Sequence, residues 1–590
     1  MGKQAAGCAL AVGMVISTAA IALRAYQSAP SLPATPAIRV STRLVVLDVV
    51  ASGKDGMAIT DLKSEDFKLE ENGKQQKISG FGLERAGAPV KPPALPPGVY
   101  SNRPEYHMPS GALTVLLIDG LNTPYTNQAR VREQMIRYAA TQMSAGQQTA
   151  VYALGSRLVR LQDFTSDPRL IATALSSYKP QLPSVNTGTT LAPLQGGAGL
   201  AGLNPGEAEF VAANIQQFEG DQTATALQYR IQGTLAAMQA LSRILGGNPG
   251  RKNLVWVTAS LPFSMIAEQN DITYAQTRAG NFGQAPVPNE ISNASYANHI
   301  QQTATEGVKR VAALMTSAQI SVYPVDAKGL LGATLADASR QGSNGAGLLM
   351  IGGDYGEAVS NASNRQFASQ ATMEEMAQQT GGRAYINRND IDRAVALAAA
   401  DGSTYYSLSY YPEKKKFDGG YRKLKVVVSR PGVQLRYRPG YFAIEPEKVS
   451  DKDKQPELIS ALAGPSNATM VVFDARIVPP APAAKVDLPV QFLVQADTFT
   501  GEDGKNGERA VDLDFYVTAF TKDGKMAANT GKAVATSLPA DQYLQMQQKG
   551  LLMPVNISLP PGSYDLRLAV RDNHTGYVGT LSVPLTLKQP

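Results

Sequence analysis

Leu113–Thr123 reads LTVLLIDGLNT. Six residues, apolar except for Thr114, run into Asp119. Gly120 then turns the chain, and Asn122 and Thr123 follow with an amide and a hydroxyl. An apolar run bounded in this way reads as a strand buried on both faces of a parallel sheet. Ligands of open α/β sheets sit beyond the carboxyl ends of such strands. Asp119 is therefore expected at the sheet's crest, facing outward.

Outward from this strand, apolar strand patterns alternate with helical spacings. Val131–Met143 is helical, and Gln148–Leu154 and Leu158–Gln162 are strands. Thr165-Ser166-Asp167-Pro168 caps a helix that runs to Ser177. Thr223–Leu245 is a long helix, followed by the strand Asn253–Thr258. The helix Asn298–Ala318 leads into the strand Ile320–Val325, which closes on Asp326. Phe367–Gln379 and Ile391–Ala400 are helices around a short strand, Arg383–Ile386. This order predicts a doubly wound, mostly parallel, Rossmann-type sheet over 110–400. Three long Gly/Pro/Asn-rich excursions interrupt it, at Pro180–Asp221, Pro262–Tyr296 and Ala327–Arg365. Loops of that length in a compact domain are usually functional or disordered.

β patterns flank this region. Residues 38–85 form a small β unit with a hairpin signal at Asn72-Gly73. Residues 404–443, rich in tyrosine, form another that could pair with the first. From 469 to 590 short strands recur between turn signals, as in a β-sandwich. The predicted class is therefore α/β plus β, a doubly wound sheet flanked by β-sandwich-like modules.

Residues 1–25 have the form of an export signal: Lys3, an apolar run from Ala5 to Ala22, and small-x-small at Ala20-Ile21-Ala22. A cleaved signal and an uncleaved N-terminal anchor both fit. Residues 26–37 are a Pro/Ala/Ser-rich linker. Either reading places the protein outside the cytoplasm: periplasmic, at the cell surface or secreted. The membrane would be touched only through an uncleaved anchor.

The chain has 590 residues with a formal charge of +6 and no basic block with interleaved aromatics, which argues against nucleic acid. Cys8 is the only cysteine and lies in the N-terminal segment, so no disulfide or thiolate site is expected in a processed chain. The three histidines, His107, His299 and His574, fall in separate regions without zinc-helix spacing. There is no Gly-x-Ser-x-Gly elbow and no phosphate-cradling loop. The expectation is a protein that is not an enzyme.

With its strands placed, the Asp119 segment resembles the first loop of a von Willebrand factor type A (VWA) domain. The more specific resemblance is to the VWFA-related acidobacterial domain proteins. It is carried by DFKLEENGKQQKISGF, LLIDGLNT, DFTSDP, GRKNLVWVTASLP, ISVYPVDAKGL, TGGRAYIN and YRPGYFA, within residues 38–443. It implies export, a VWA fold and no established activity. VWA domains hold a divalent cation with an Asp-x-Ser-x-Ser loop, a second-loop Thr and a third-loop Asp.

Carried over residue by residue, Asp119 and Thr123 match the first loop, and Leu121 replaces its first Ser. Thr189 or Thr190 could supply the second-loop hydroxyl. Ala259 stands where the family has Asp. The resemblance therefore implies a degenerate adhesion site. Mg²⁺ would be held by Asp119, Thr123 and Thr190, with weak or absent metal dependence, since fewer anionic ligands lower affinity for a hard cation. No cofactor is otherwise implied.

The function expected is protein–protein binding or adhesion at the cell envelope, through a rim of Asp119, Asn122, Thr123, Ser260 and Asp326. The alternatives are a metal-free structural scaffold in an envelope assembly, or a hydrolase with a loop-built site. For Asp119 and Asp326 the bland reading is a turn cap, and for Trp256 a core residue.

Overall fold

The computed structural model describes residues 45–54, 56–85, 94–103, 106, 113–144, 146–180, 205–248, 250–262, 307–329, 355–401, 403–412, 418–443, 458–459, 461–462, 466–478, 481–503 and 508–589. The N-terminal segment and most of the three excursions lie outside these residues. Thr189 and Thr190 do as well.

The chain opens with β1 (Val45–Ser52), β2 (Phe67–Glu71), β3 (Lys74–Gln76) and β4 (Ile78–Arg85). Asn72 and Gly73, both at positive φ, make the turn between β2 and β3. β5 (Val99–Ser101) follows, within a Pro-rich stretch.

The α/β layer then runs from β6 (Leu113–Asp119) through α1 (Tyr125–Thr141), β7 (Gln148–Leu154) and β8 (Leu158–Thr165). After α2 (Pro168–Ser177) and the long α3 (Pro205–Leu245) come β9 (Lys252–Thr258), α4 (307–317) and β10 (Ile320–Asp326). The layer closes with α5 (Tyr355–Thr380) and α6 (Ile391–Ala400).

Its sheet has the order β10-β9-β6-β7-β8. The pairings β10/β9, β9/β6 and β6/β7 are parallel, and β7/β8 is antiparallel. All seven residues of β6 are buried. Alternate side chains of β6 enter two cores. Leu113, Val115 and Leu117 pack with Ile231, Leu235 and Met238 of α3, Val311 of α4 and Met376 of α5. Leu116 and Ile118 pack with Val131 and Met135 of α1, Ile171 of α2 and Val395 of α6. A strand covered on both faces has no solvent side, so it is apolar throughout.

The short strand read at Arg383–Ile386 is reduced to one parallel bridge, Val325 to Tyr385. Just before it, Gly382 lets the backbone lie close against β10, where a Cβ would come within 2.0 Å of Val322 O.

The remaining four sheets are antiparallel. β11 (Thr404–Tyr410), β12 (Tyr421–Val428), β13 (Gln434–Arg436) and β14 (Gly440–Phe442) return to the first strands. They build sheets of order β13-β1-β11-β4 and β14-β12-β2-β3. The two sheets share a core of Leu47, Val49, Phe67, Leu69, Tyr406, Leu408 and Val426.

After them come β15 (Phe473–Ile477), β16 (Val486–Val494), β17 (Glu502–Asp503), β18 (Arg509–Thr521), β19 (Met526–Leu538), α7 (Ala540–Lys549), β20 (Leu551–Leu559), β21 (Gly562–Asp572) and β22 (Val578–Leu587). They form sheets of order β20-β16-β15-β5 and β17-β18-β21-β22, with β19 beside β18. β5 thus joins a sheet otherwise built from the chain's far end. Asn102 clamps this junction: its Nδ2 donates to Ala468 O and Val471 O, and its Oδ1 accepts from Phe473 N. No helix among the described residues is long and apolar enough to cross a membrane.

Candidate functional site

The carboxyl ends of β6, β9 and β10 meet at one edge of the layer, bringing Asp119, Thr258 and Asp326 together. Gly120 makes the first bend. Its N–H and that of Leu121 both donate to Leu154 O, at 2.7 and 3.1 Å. A Cβ at Gly120 would lie 2.8 Å from Tyr178 Oη, so only glycine fits this approach.

Asp119 corrects the outward placement expected from sequence: it is 0% exposed. Its Oδ1 accepts from Asn122 N at 2.8 Å. Its Oδ2 accepts from Asn122 Nδ2, Trp256 Nε1 and Thr258 Oγ1, each at 2.9 Å. Burial pushes the Asp119 carboxyl above the usual carboxylate range, and the hydrogen bonds from Asn122, Thr258 and Trp256 pull it back. The Thr258 hydroxyl has one proton and two acceptors in reach, Asp119 Oδ2 and Ser260 O at 2.8 Å. A protonated Asp119 would leave that proton to Ser260.

A cation is already close by. Arg230 and Thr234, one turn apart on α3, both reach the Asn122 amide. Arg230 Nε donates to Asn122 Oδ1 at 2.8 Å, and Asn122 Nδ2 donates to Thr234 Oγ1 at 3.0 Å. Arg230 Nη2 donates to Ser260 Oγ at 2.8 Å. The guanidinium's charge therefore reaches Asp119 through the Asn122 amide. Burial lowers the Arg230 pKa, and Asp119's charge resists that shift.

The other expected site residues are placed as follows. Asn122 and Thr123 are buried, at 4% and 3% exposure. Thr123 Oγ1 accepts from Ala259 N at 3.1 Å, the backbone of the position where VWA domains carry Asp. Asp326 is 2% exposed. It caps its own turn by accepting from Lys328 N at 2.8 Å, and also accepts from Gln370 Nε2 at 3.2 Å. Ser260 alone of the five rim residues is partly exposed. As a rim, then, these residues form an inward-facing network rather than an open surface, because each polar atom finds its partner inside the protein.

This donor set does not fit Mg²⁺. A hard divalent ion needs several free anionic or neutral oxygens and an open coordination position. Here one carboxylate oxygen already accepts three hydrogen bonds, the third-loop carboxylate is alanine, and a guanidinium is held beside the site. Thr190, the third proposed ligand, lies outside the described residues.

Sequence reasoning missed Trp256, Thr258 and Arg230 as partners of this site. Trp256 is indeed buried in the strand, but its indole N–H ends on the carboxylate. A buried tryptophan needs a hydrogen-bond acceptor, and the polar Arg230/Thr234 pair beside the apolar positions 231, 235 and 238 was the signal for the helix's contribution. Elsewhere, His574 Nδ1 lies 3.3 Å from Glu502 Oε1, away from this crest.

No protein-family model and no curated protein sequence matches this chain. Among solved structures, it is similar to the vWF domain of the type V pili tip protein Mfa5 from Porphyromonas gingivalis. That match has 9% identity and a TM-score of 0.25, and covers 49% of this chain and 94% of that one. A von Willebrand factor type A structure from Catenulispora acidiphila matches at 7% identity and a TM-score of 0.20, over 90% and 75% of the two chains. The pilus adhesin SpaC from Lactobacillus rhamnosus GG matches at 8% identity and a TM-score of 0.24, over 87% and 59%. At such scores these likenesses carry no argument about this chain.

Proposed function

We propose that this protein is an exported, non-enzymatic binding and scaffold protein, whose α/β layer is of the VWA type and works without a metal. The observation that carries this reading is the closed charge at Asp119. Four donors from Asn122, Trp256 and Thr258 satisfy its carboxylate, and Arg230 provides the nearby positive charge. The LLIDGLNT segment keeps the Asp and the last hydroxyl of the first-loop pattern of a VWA domain, and the internal network satisfies the carboxylate that a cation would satisfy there.

In this reading residues 110–400 are an insertion between the two halves of a β unit, 38–85 and 404–443, with a further sandwich over 469–590. Partner proteins at the envelope or outside the cell are engaged through the long excursions. The export-signal pattern of residues 1–25 supports an exported location.

Calorimetry with Mg²⁺, Mn²⁺ and Ca²⁺ on the wild type and on Asp119→Ala tests the metal-free part. No saturable heat is expected from either protein. Saturable Mg²⁺ binding by the wild type that is lost in the variant would overturn it. A pull-down from envelope extract with and without chelator tests the binding part. A specific protein partner retained equally in both is expected.

A further inference from the structure

A second site lies at the opposite ends of the same strands, where the α/β layer meets the β12–β14 sheet. A small cleft, open to solvent, is lined by Asp48, Arg251, Gln319 and Arg438 on its polar side and by Ile320 and Phe442 on its apolar side. Arg251 is 3% exposed. Its Nη2 donates to Tyr323 Oη at 3.0 Å and to Gly381 O. Arg438 donates through Nη1 to Thr316 O at 3.4 Å and through Nη2 to Val46 O. Both guanidiniums are thus fixed through their terminal nitrogens, while both Nε–H groups are buried and find no acceptor among the described residues. Two orphaned donors on two cations lining one cleft form an unusual pairing, since each costs free energy unless an acceptor arrives.

The charge balance agrees. Arg251, Arg438 and Lys252 all act on Asp48, the one carboxylate lining the cleft. Asp48 is itself held by Gln319 Nε2, at 3.0 and 3.3 Å from its two oxygens. Lys309 adds a further positive charge, 6.0 Å from the Phe442 ring centroid. Two lining guanidiniums against one lining carboxylate favour an anionic guest, and a guanidinium N–H donates well to a carboxylate oxygen. The apolar wall, with Tyr421 packed edge-on against Phe442 at 5.2 Å, suits a hydrocarbon or aromatic skeleton.

We propose that this cleft binds a carboxylate borne on an apolar or aromatic skeleton, with the Nε–H groups of Arg251 and Arg438 as its anchors and Phe442 and Ile320 as its floor. The carboxylate could belong to a free organic acid or to the C-terminal residue of a polypeptide. The proposal does not depend on the metal-free reading of the Asp119 crest.

Isothermal titration of the full chain tests it with benzoate, the neutral isostere benzamide, inorganic phosphate, and a short peptide ending in phenylalanine as free acid or amide. Benzoate is expected to bind saturably and benzamide about tenfold more weakly or worse. Arg438→Gln should weaken benzoate by a similar factor. Arg438→Lys keeps the charge but lacks an Nε–H in the fork. It should also bind benzoate more weakly while its melting temperature stays near that of the wild type, which separates lost binding from lost folding. Tighter binding of the free-acid peptide than of benzoate assigns the carboxylate to a chain end, and the reverse order to a free acid. Absence of saturable binding by every carboxylate, benzoate affinity unchanged in both Arg438 variants, or phosphate bound as well as benzoate would each overturn the proposal.

Discussion

Arg230 Nε stands 2.8 Å from Oδ1 of Asn122, and the same amide donates through Nδ2 to Asp119 Oδ2 at 2.9 Å. One side chain thus couples a helix-borne cation to a strand-borne anion.

Arg230→Ala is expected to lower stability by about 1.5–3 kcal/mol, the usual worth of hydrogen bonds to a charged group. Asn122 Oδ1 and Ser260 Oγ both lose a donor. Urea denaturation of the two proteins measures this. A change below about 0.5 kcal/mol would mean that the guanidinium contributes no more than an ordinary surface residue.

Asp119→Ala strands three donors in a dry interior, with the Thr258 hydroxyl left to donate to Ser260 O, and should cost about 3–5 kcal/mol, the range for removing one partner from a buried charged network. Trp256 is the only tryptophan in the chain, and its indole N–H donates to this carboxylate. Intrinsic fluorescence therefore reports on the site directly. The wild-type spectrum should be that of a buried indole and should not change on adding Mg²⁺, whereas Asp119→Ala should shift it.

Asp119 also gives stability a defined pH dependence. Its folded pKa is raised from 3.8 by burial, so above 3.8 the folded state holds a proton that the unfolded state has released. Asp119's contribution is then greatest below 3.8 and is lost as pH rises through the folded value. Asp119→Asn has no such proton. The stability of the wild type relative to this variant should fall as pH rises above 3.8, read from urea midpoints at a series of pH values. A difference that rises with pH would show that the hydrogen bonds outweigh desolvation.

Gly120→Ala places a methyl 2.8 Å from Tyr178 Oη and 3.2 Å from Leu154 O. The expected loss is about 1–3 kcal/mol, as for other overpacked sites. Tyr178→Phe removes the nearer atom, so the double variant should recover part of the loss. Strict additivity in a double-mutant cycle would place the strain on Leu154 O instead.

The sequence made the strand Leu113–Asp119 legible because a strand covered on both faces has no polar side to confuse its reading. Asn72-Gly73 was equally plain, since few other dipeptides accept two positive φ values in succession. The orientation of Asp119 was not legible. A carboxylate at a strand's end faces outward unless something inside satisfies it, and its partners come from 256, 258 and, through Asn122, 230, far along the chain. β19 gives no strand signal in sequence, because Met526–Leu538 is mostly exposed and lacks the alternation that marks a half-buried strand. β5 was hidden by the prolines around it.

β5 also bears on how the polypeptide is made. Asn102, just beyond it, bonds a carbonyl 369 positions downstream, so a nascent chain emerging from the ribosome carries this short ribbon unmatched until nearly the whole protein has been synthesised. Its C-terminal sheets close last, around an early fragment that has waited for them. A version lacking residues 99–102 should therefore expose a raw sheet margin and tend to clump, even though every residue of the later strands is intact.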